Sequence, residues 1–385
     1  MFPHKTLTFL GIAASALVAN GSEPGAYTRV FGPKATMLIA KPTLRWEIWP
    51  GGRSAITEQK MLINGVEVRA YYSKGDRSLM YTPDRPLAPG EYKVKCRVVI
   101  DDSLVANKEW TFTIATGAAP NLAPPDSDQI RAFRAANMYR TALGLEPFRF
   151  DDRLNGAALA HSKYLAKNNT TGHFQKPGTP GYFGQDPGAR LESFGFIDES
   201  WENVAYGNET PEEAITSLVD APYHRIPFMQ PGAIVLGAGF NENRLTVEFG
   251  ANKSEGTVVY PAPGQSNVPT LWNGNERPNP LRLHDAPKPV GYIIVLSAWQ
   301  PGGAKLKVQE ATLRNCADGS LVPAFLNTPS NDDRLDNSCF IIPKRPLRPG
   351  TTYEVLVRGS VQPTASDRSE VPLDKRWRFT TATKG

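Results

Sequence analysis

A six-residue phrase occurs near each end of the chain, and each copy opens the same succession of turn and strands. Arg85-Pro86-Leu87-Ala88-Pro89-Gly90 leads into Glu91-Tyr92-Lys93-Val94, with Lys108-Glu109-Trp110-Thr111-Phe112-Thr113 downstream. Arg345-Pro346-Leu347-Arg348-Pro349-Gly350 leads into Tyr353-Glu354-Val355, with Lys375-Arg376-Trp377-Arg378-Phe379-Thr380 downstream. In both, the Pro-Gly pair sets a turn, period-two alternation follows, and an aromatic-alternating strand closes the unit. A chain with this unit at both ends must place β modules around whatever lies between them. In between, the hydrophobic period changes from two to about 3.6.

Two linkers mark where the period changes. Residues 117–125 hold three prolines and several alanines, and residues 256–285 are dense in Pro, Gly and Asn. The 385 residues are too many for one ordinary core. The expected division is a leader over 1–20, a β module over 24–116, the linker 117–125, a helical and strand-bearing domain over 126–255, the linker 256–285 and a second β module over 286–383. Both β modules resemble bacterial Ig-like β-sandwiches, which serve as spacers or stalks.

The leader follows from the first residues. Lys5 precedes an apolar run from Leu7 to Ala19, and Asn20, Gly21 and Ser22 follow, the order of a secretory signal peptide. That run is about 13 residues, against roughly 20 for a membrane-spanning helix. The expected location is therefore outside the cell, at its surface or in a periplasm, with no membrane span once the leader is removed. A net charge of +5 with no basic run gives no support to nucleic acid as a partner. Three cysteines are present, and in an exported chain the pairing Cys316–Cys339 within the last module is expected, with Cys96 a buried free thiol.

In the middle segment, Asp126 or Ser127 can cap a helix carrying Ile130, Phe133, Ala136, Tyr139 and Leu143, which Gly144 stops. A second helix starts near Asp152, with His161 on its apolar face as a packed residue. Thr210-Pro211-Glu212-Glu213 reads as a capping box opening a third. The runs from Ile234 to Phe240 and from Leu245 to Gly250 read as a hairpin. Helices followed by antiparallel strands predict an α+β domain. No Gly-x-Ser-x-Gly, His-Glu-x-x-His or phosphate-cradling Gly loop occurs, and Ser162 follows His161 directly, so their side chains diverge on a helix.

The ordered series Asn137…Arg140, Leu154-x-x-Ala157-x-x-x-His161-Ser162, Gly172-His173-Phe174, Arg190, Gly195-Phe196, Glu202-Asn203-Val204-Ala205-x-Gly207 and Pro222-Tyr223-His224-Arg225, closed by the Gly-rich hairpin, resembles the CAP superfamily in its bacterial SCP-like branch. The resemblance covers about residues 127–252. It implies a central α-β-α sandwich and a cleft lined by His173, Glu202 and His224, with Glu248 pointing into it or out to solvent according to register. Such a set can hold a divalent metal such as Zn or Mg, or hydrogen-bond within itself and to a polar ligand. Ala221 stands where plant and animal members carry a second Glu, and their His-Tyr-Thr-Gln strand motif is missing. The expected function is a noncatalytic secreted binding module for a peptide, lipid or cell-surface polymer. The alternatives are a metal-assisted hydrolase, with zinc on His173 and His224 and Glu202 as base, and a structural or adhesive surface protein.

Overall fold

The computed structural model describes residues 7–10, 30–50, 54–232, 234–250, 255–274, 276–286, 288–364 and 369–383. Apart from Leu7–Leu10, the expected leader lies outside the described residues.

The first module is all β and has two sheets. One carries Phe31–Gly32, Leu44–Glu47, Ser78–Tyr81 and Tyr71–Ser73 in that spatial order. The other carries Thr36–Ile39, Leu104–Ala119, Gly90–Ile100, Ile56–Ile63 and Val66–Val68. Trp46 and Leu79 from the first sheet share one core with Met61, Val94, Trp110 and Phe112 from the second. The strand Leu104–Ala119 takes up the first residues of the expected linker.

The repeated phrase makes the same hairpin twice. Gly90–Ile100 pairs antiparallel with Leu104–Ala119, placing Tyr92 opposite Phe112 with rings 5.3 Å apart. Thr352–Pro363 pairs with Val371–Thr380, placing Tyr353 opposite Phe379 with rings 5.8 Å apart. Cross-strand aromatic pairs of this kind stabilise a hairpin beyond the area they bury.

The middle domain begins with helix α1, Ser127–Ala142, capped by Asp126 rather than Ser127 in a reciprocal box with Gln129. Helix α2 is Asp152–Lys167, α3 is Pro187–Ser193, α4 is Pro211–Asp220 and α5 is Pro222–Phe228. At α4 the Thr210 hydroxyl accepts from the Glu213 amide, but the Glu213 carboxylate accepts from the amide of Glu209. The strands that matter below are β1, Leu7–Leu10; β2, Ser200–Tyr206; β3, Val235–Asn241; β4, Arg244–Gly250; and β5, Glu276–Arg277. Their spatial order is β3-β4-β2-β1-β5, with the two-residue strand Arg149–Phe150 outside β3.

Strand periodicity assigns the layers. On β3, Leu236 and Ala238 enter the core with Ala132 of α1 and Ile215 of α4. Gly237 and Gly239 point the other way, where α2 lies so close that an added Cβ would come within 2.2 Å of the Leu154 and Leu159 backbone. Helix α2 therefore covers one face of the sheet, and α1 with α4 covers the other.

The last module carries Gly256–Tyr260, Ile294–Trp299, Ser338–Pro343 and Ala324–Asn327 in one sheet and Ala304–Asn315, Thr352–Pro363 and Val371–Thr380 in another. The residues expected as a linker begin with Gly256–Tyr260, an outer strand of this module. Its core is continuous with that of the middle domain.

The expected disulfide is not formed: Cys316 and Cys339 are both free. Cys339 lies in the strand Ser338–Pro343, wholly buried, and burial pushes its thiol up to about 12, whereas Cys316 is exposed after the strand Ala304–Asn315. Cys96 is a buried free thiol, also raised by burial to about 12.

Candidate functional site

Glu202 on β2 is the centre of a buried charged cluster. Its cross-strand partner on β4 is Glu248, whose partner on β3 is Gly237. Opposed residues share a face, so both carboxyls point into the α2 layer. There α2 supplies His161, the loop after it supplies His173, and α3 supplies Arg190. All five side chains are buried.

The bonds within the cluster are specific. His173 Nδ1 donates to Glu202 Oε1 at 2.7 Å, and Arg190 donates one guanidinium arm to Glu202 Oε2 and another to the His173 carbonyl at 2.8 Å. His161 Nε2 donates to the Gly172 carbonyl at 3.0 Å, and its Nδ1 accepts from Gln175 Nε2 at 3.0 Å. That arrangement fixes a neutral imidazole, and burial lowers His161 to about 4. For Glu202, burial alone would raise the carboxyl; Arg190, with the hydrogen bond from His173 adding to it, outweighs burial and holds it well below the usual carboxylate range. Glu248 goes the other way. Burial and then the neighbouring Glu202 carboxylate raise it well above the usual carboxylate range.

His224 belongs to a different set. Asn203, the neighbour of Glu202 on β2, points to the opposite face, where its Nδ2 donates to the His224 carbonyl at 2.8 Å. The His224 imidazole donates from Nδ1 to Glu276 at 2.8 Å, and the same oxygen accepts the backbone amides of Tyr223 and His224 at 2.8 and 3.1 Å. The capping position of α5 is Ala221, which has no side-chain oxygen, so Glu276 from the connecting segment caps the helix instead. Tyr223 donates to Asp332 of the last module. Arg225 donates to the carbonyls of Val219 and Ile293 at 2.6 and 2.8 Å and lies over the Tyr260 ring at 4.4 Å. The Pro222-Tyr223-His224-Arg225 motif thus forms the joint between two domains.

The structure brings His173, Glu202 and Glu248 together and pairs His224 elsewhere. As arranged, these residues do not fit a divalent ion: both Glu202 oxygens are engaged, one by a guanidinium that opposes a second cation. No group of three or more His, Cys, Asp or Glu among the described residues has a metal-holding arrangement. Arg190 was visible in sequence only as one member of the ordered series, and Glu276 sits in a Pro- and Gly-rich stretch where nothing sets it apart. Ser162, which could suggest a nucleophile, donates to the Gly239 carbonyl at 2.8 Å, and its oxygen lies 2.9 Å from the Thr246 hydroxyl.

A cleft of about 1000 Å³ opens where the three modules meet, lined by Phe31 of the first, Trp201 of the middle and Trp299 and Lys305 of the last. The Trp201 and Trp299 rings stand edge to face, 6.5 Å apart. No helix among the described residues is long and apolar enough to cross a membrane.

Residues 133–249 match the family described as the cysteine-rich secretory protein family, CAP. The uncharacterized protein YkwD of Bacillus subtilis is 32% identical over 108 residues, which are 28% of this chain and 40% of that protein. The chain therefore spans less than half the length of that curated relative. Among solved structures, an extracellular protein containing a SCP domain from Bacillus anthracis is 16% identical, over 60% of this chain and 87% of that one, with a TM-score of 0.29. A cysteine-rich secretory protein from Staphylococcus aureus is 11% identical, over 61% and 87%, with a TM-score of 0.21.

Proposed function

Residues 133–249 are a CAP domain of the bacterial kind, and from that starting point we propose that the chain is a secreted, noncatalytic binding protein. In this reading it holds a peptide, lipid or cell-surface polymer outside the cell, and its two all-β modules are Ig-like arms that set reach. One observation carries it. Three of the groups that could do acid–base or nucleophilic chemistry spend their capacity inside the domain: both Glu202 oxygens, both His161 nitrogens and the Ser162 hydroxyl are bonded there. A catalytic base must be within reach of a proton on the substrate, and a metal-activated water needs open coordination positions; Glu202 supports neither. What the cluster does is brace the loop bearing His173 against β2. The three-module cleft, with two tryptophans and mixed charge, has the size and lining of a ligand site at a domain junction.

The test uses the purified chain without its leader. It is incubated with casein and a peptide library, with and without a chelator and with added Zn²⁺, and in parallel applied to cell-wall polymer and to lipid vesicles. The expected result is no chelator-sensitive cleavage and retention by at least one matrix. Chelator-sensitive cleavage abolished by Glu202→Gln would overturn the reading.

A further inference from the structure

The sheet of the middle domain contains a place for a strand that the domain does not supply. Strand β1 lies antiparallel to β2, with Thr8 opposite Val204, Phe9 opposite Asn203 and Leu10 opposite Glu202. On its other side it lies parallel to β5, with Leu7 opposite Glu276 and Thr8 opposite Arg277. Paired strands are about 4.8 Å apart, so β2 and β5 stand roughly 10 Å from each other. They are too far apart to pair with one another and spaced to admit a single strand between them.

Both walls are fixed without the filler. Strand β2 is held by seven successive pairings with β4, from Ser200 opposite Gly250 to Tyr206 opposite Arg244. Strand β5 is held by Glu276, whose carboxylate takes the His224 imidazole and two backbone amides of α5. The connecting segment around it is anchored by Trp272 and Leu281, both buried in the core shared by the two domains. The filler, by contrast, comes from residues 7–10, inside the stretch that reads as a leader. Its removal leaves the edge of the seven-residue β2 facing the short edge of the two-residue β5 across the gap, a template for another strand.

We infer that the gap between β2 and β5 is a peptide-binding slot, which opens when the leader leaves and takes an extended peptide of a partner protein as an added strand. This rests on the reading of the chain as a binding protein and names its ligand class. Main-chain bonds to both walls supply affinity, and side chains alternate between two environments. A residue opposite Asn203 faces the α5 side, and its neighbours opposite Glu202 and Val204 face the α2 side. Beyond Glu202 the next residue of β2 is Trp201, a wall of the three-module cleft, so the slot runs out into that cleft.

The probe is a fluorescent synthetic peptide of residues 4–13, titrated by anisotropy into three proteins: the intact chain, the chain lacking residues 1–20, and the intact chain with Phe9→Pro. Proline has no N–H and cannot pair within a central strand, so Phe9→Pro frees the slot in a full-length chain even if the shortened one folds poorly. Binding is expected to the shortened chain and to Phe9→Pro, and to be at least about tenfold weaker in the intact chain. The same peptide N-methylated at Thr8 and Phe9, one amide for each wall, is expected to lose at least about tenfold in affinity, since it can no longer donate on either side. Absence of peptide binding to both opened proteins, or equal binding of the N-methylated peptide, would overturn the slot. If the chain without its leader is retained by cell-wall polymer or vesicles but ignores the peptide, the slot fails alone and the binding reading stands; chelator-sensitive cleavage instead sinks that reading and leaves the slot to be judged on the peptide data.

Discussion

At the scale of single residues, the α2 face of the sheet stores ionisable groups held away from their ordinary protonation states. His161 is the most readily measured. It is neutral in the fold and lowered to about 4, while an unfolded chain protonates it near 6.5. As pH falls through 6.5, the unfolded state takes up a proton that the folded state refuses until about 4, so stability must drop across that window. The full difference corresponds to about 3 kcal/mol at pH 4. Glu202 acts below that window: its lowered carboxyl contributes stability present above the ordinary carboxylate range and lost as pH falls through it. Glu248 has the opposite sign, because its raised carboxyl withholds a proton that the unfolded chain releases as pH rises. Urea denaturation of the wild type and of His161→Gln at pH 7, 6, 5 and 4 should therefore show the stability gap between them shrinking as pH falls. A gap that stays constant would mean that His161 is not the group that resists protonation. The sequence did mark His161 as a packed helix residue, because its neighbours on the face are apolar. It could not show that Glu202 and Asn203, adjacent in one motif, would send His173 and His224 to different partners; alternation along a strand decides that once the strand is known.

At the scale of elements, legibility follows length. Helices α1, α2 and α4 span 16, 16 and 10 residues, enough for a 3.6-residue period to repeat and for caps to stand out. Helices α3 and α5 have 7 residues each, and α5 is buried on every side with Pro227 inside it. No amphipathic period can appear in a segment without a solvent face, and Pro-rich composition argues against a helix. The hairpin of β3 and β4 was legible as alternation around a turn, but the reason for its glycines was not. Gly237 and Gly239 are small because α2 lies on them, and a Cβ at residue 239 would sit 2.2 Å from the Leu159 backbone. Gly239→Ala must push α2 away from the sheet, since neither backbone can yield to a rotamer change. The expected cost is about 3 kcal/mol or more, read as a lowered urea midpoint, at the upper end of what overpacking does. A loss under 1 kcal/mol would mean that the helix and strand have room that this packing denies.

At the scale of the molecule, the expected three-part division rests on Pro- and Gly-rich stretches that interrupt both periods, yet the second of those stretches is not a tether. A segment wedged between two domains needs fixed turns as much as an exposed connector does, and the two share a composition. Residues 256–285 supply an outer strand, the buried Trp272 and the Glu276 that caps α5. The consequence is an uneven partition of cooperativity. The first module has its own core and meets the middle domain through a smaller contact, in which Phe194 packs against that core and Arg45 pairs with Asp198. The middle and last domains share one core. Calorimetry of the chain lacking residues 1–20 should then show two transitions, one for the first module and one for the fused pair, since a shared core unfolds as a unit. Arg225 is the side chain best placed to break that fusion. Wholly buried, it satisfies the carbonyls of Val219 and Ile293 and the Tyr292 hydroxyl, one from the middle domain and two from the last. Arg225→Met keeps the apolar stem and removes every one of those bonds, leaving two buried carbonyls unpaired. Each orphaned acceptor costs about 1–3 kcal/mol, and one of them lies on each side of the joint. The fused transition should therefore move down and split in two, and limited proteolysis should newly cut within residues 256–285. A single transition merely shifted to lower temperature would show instead that the apolar core, without Arg225, is enough to hold the two domains as one cooperative unit.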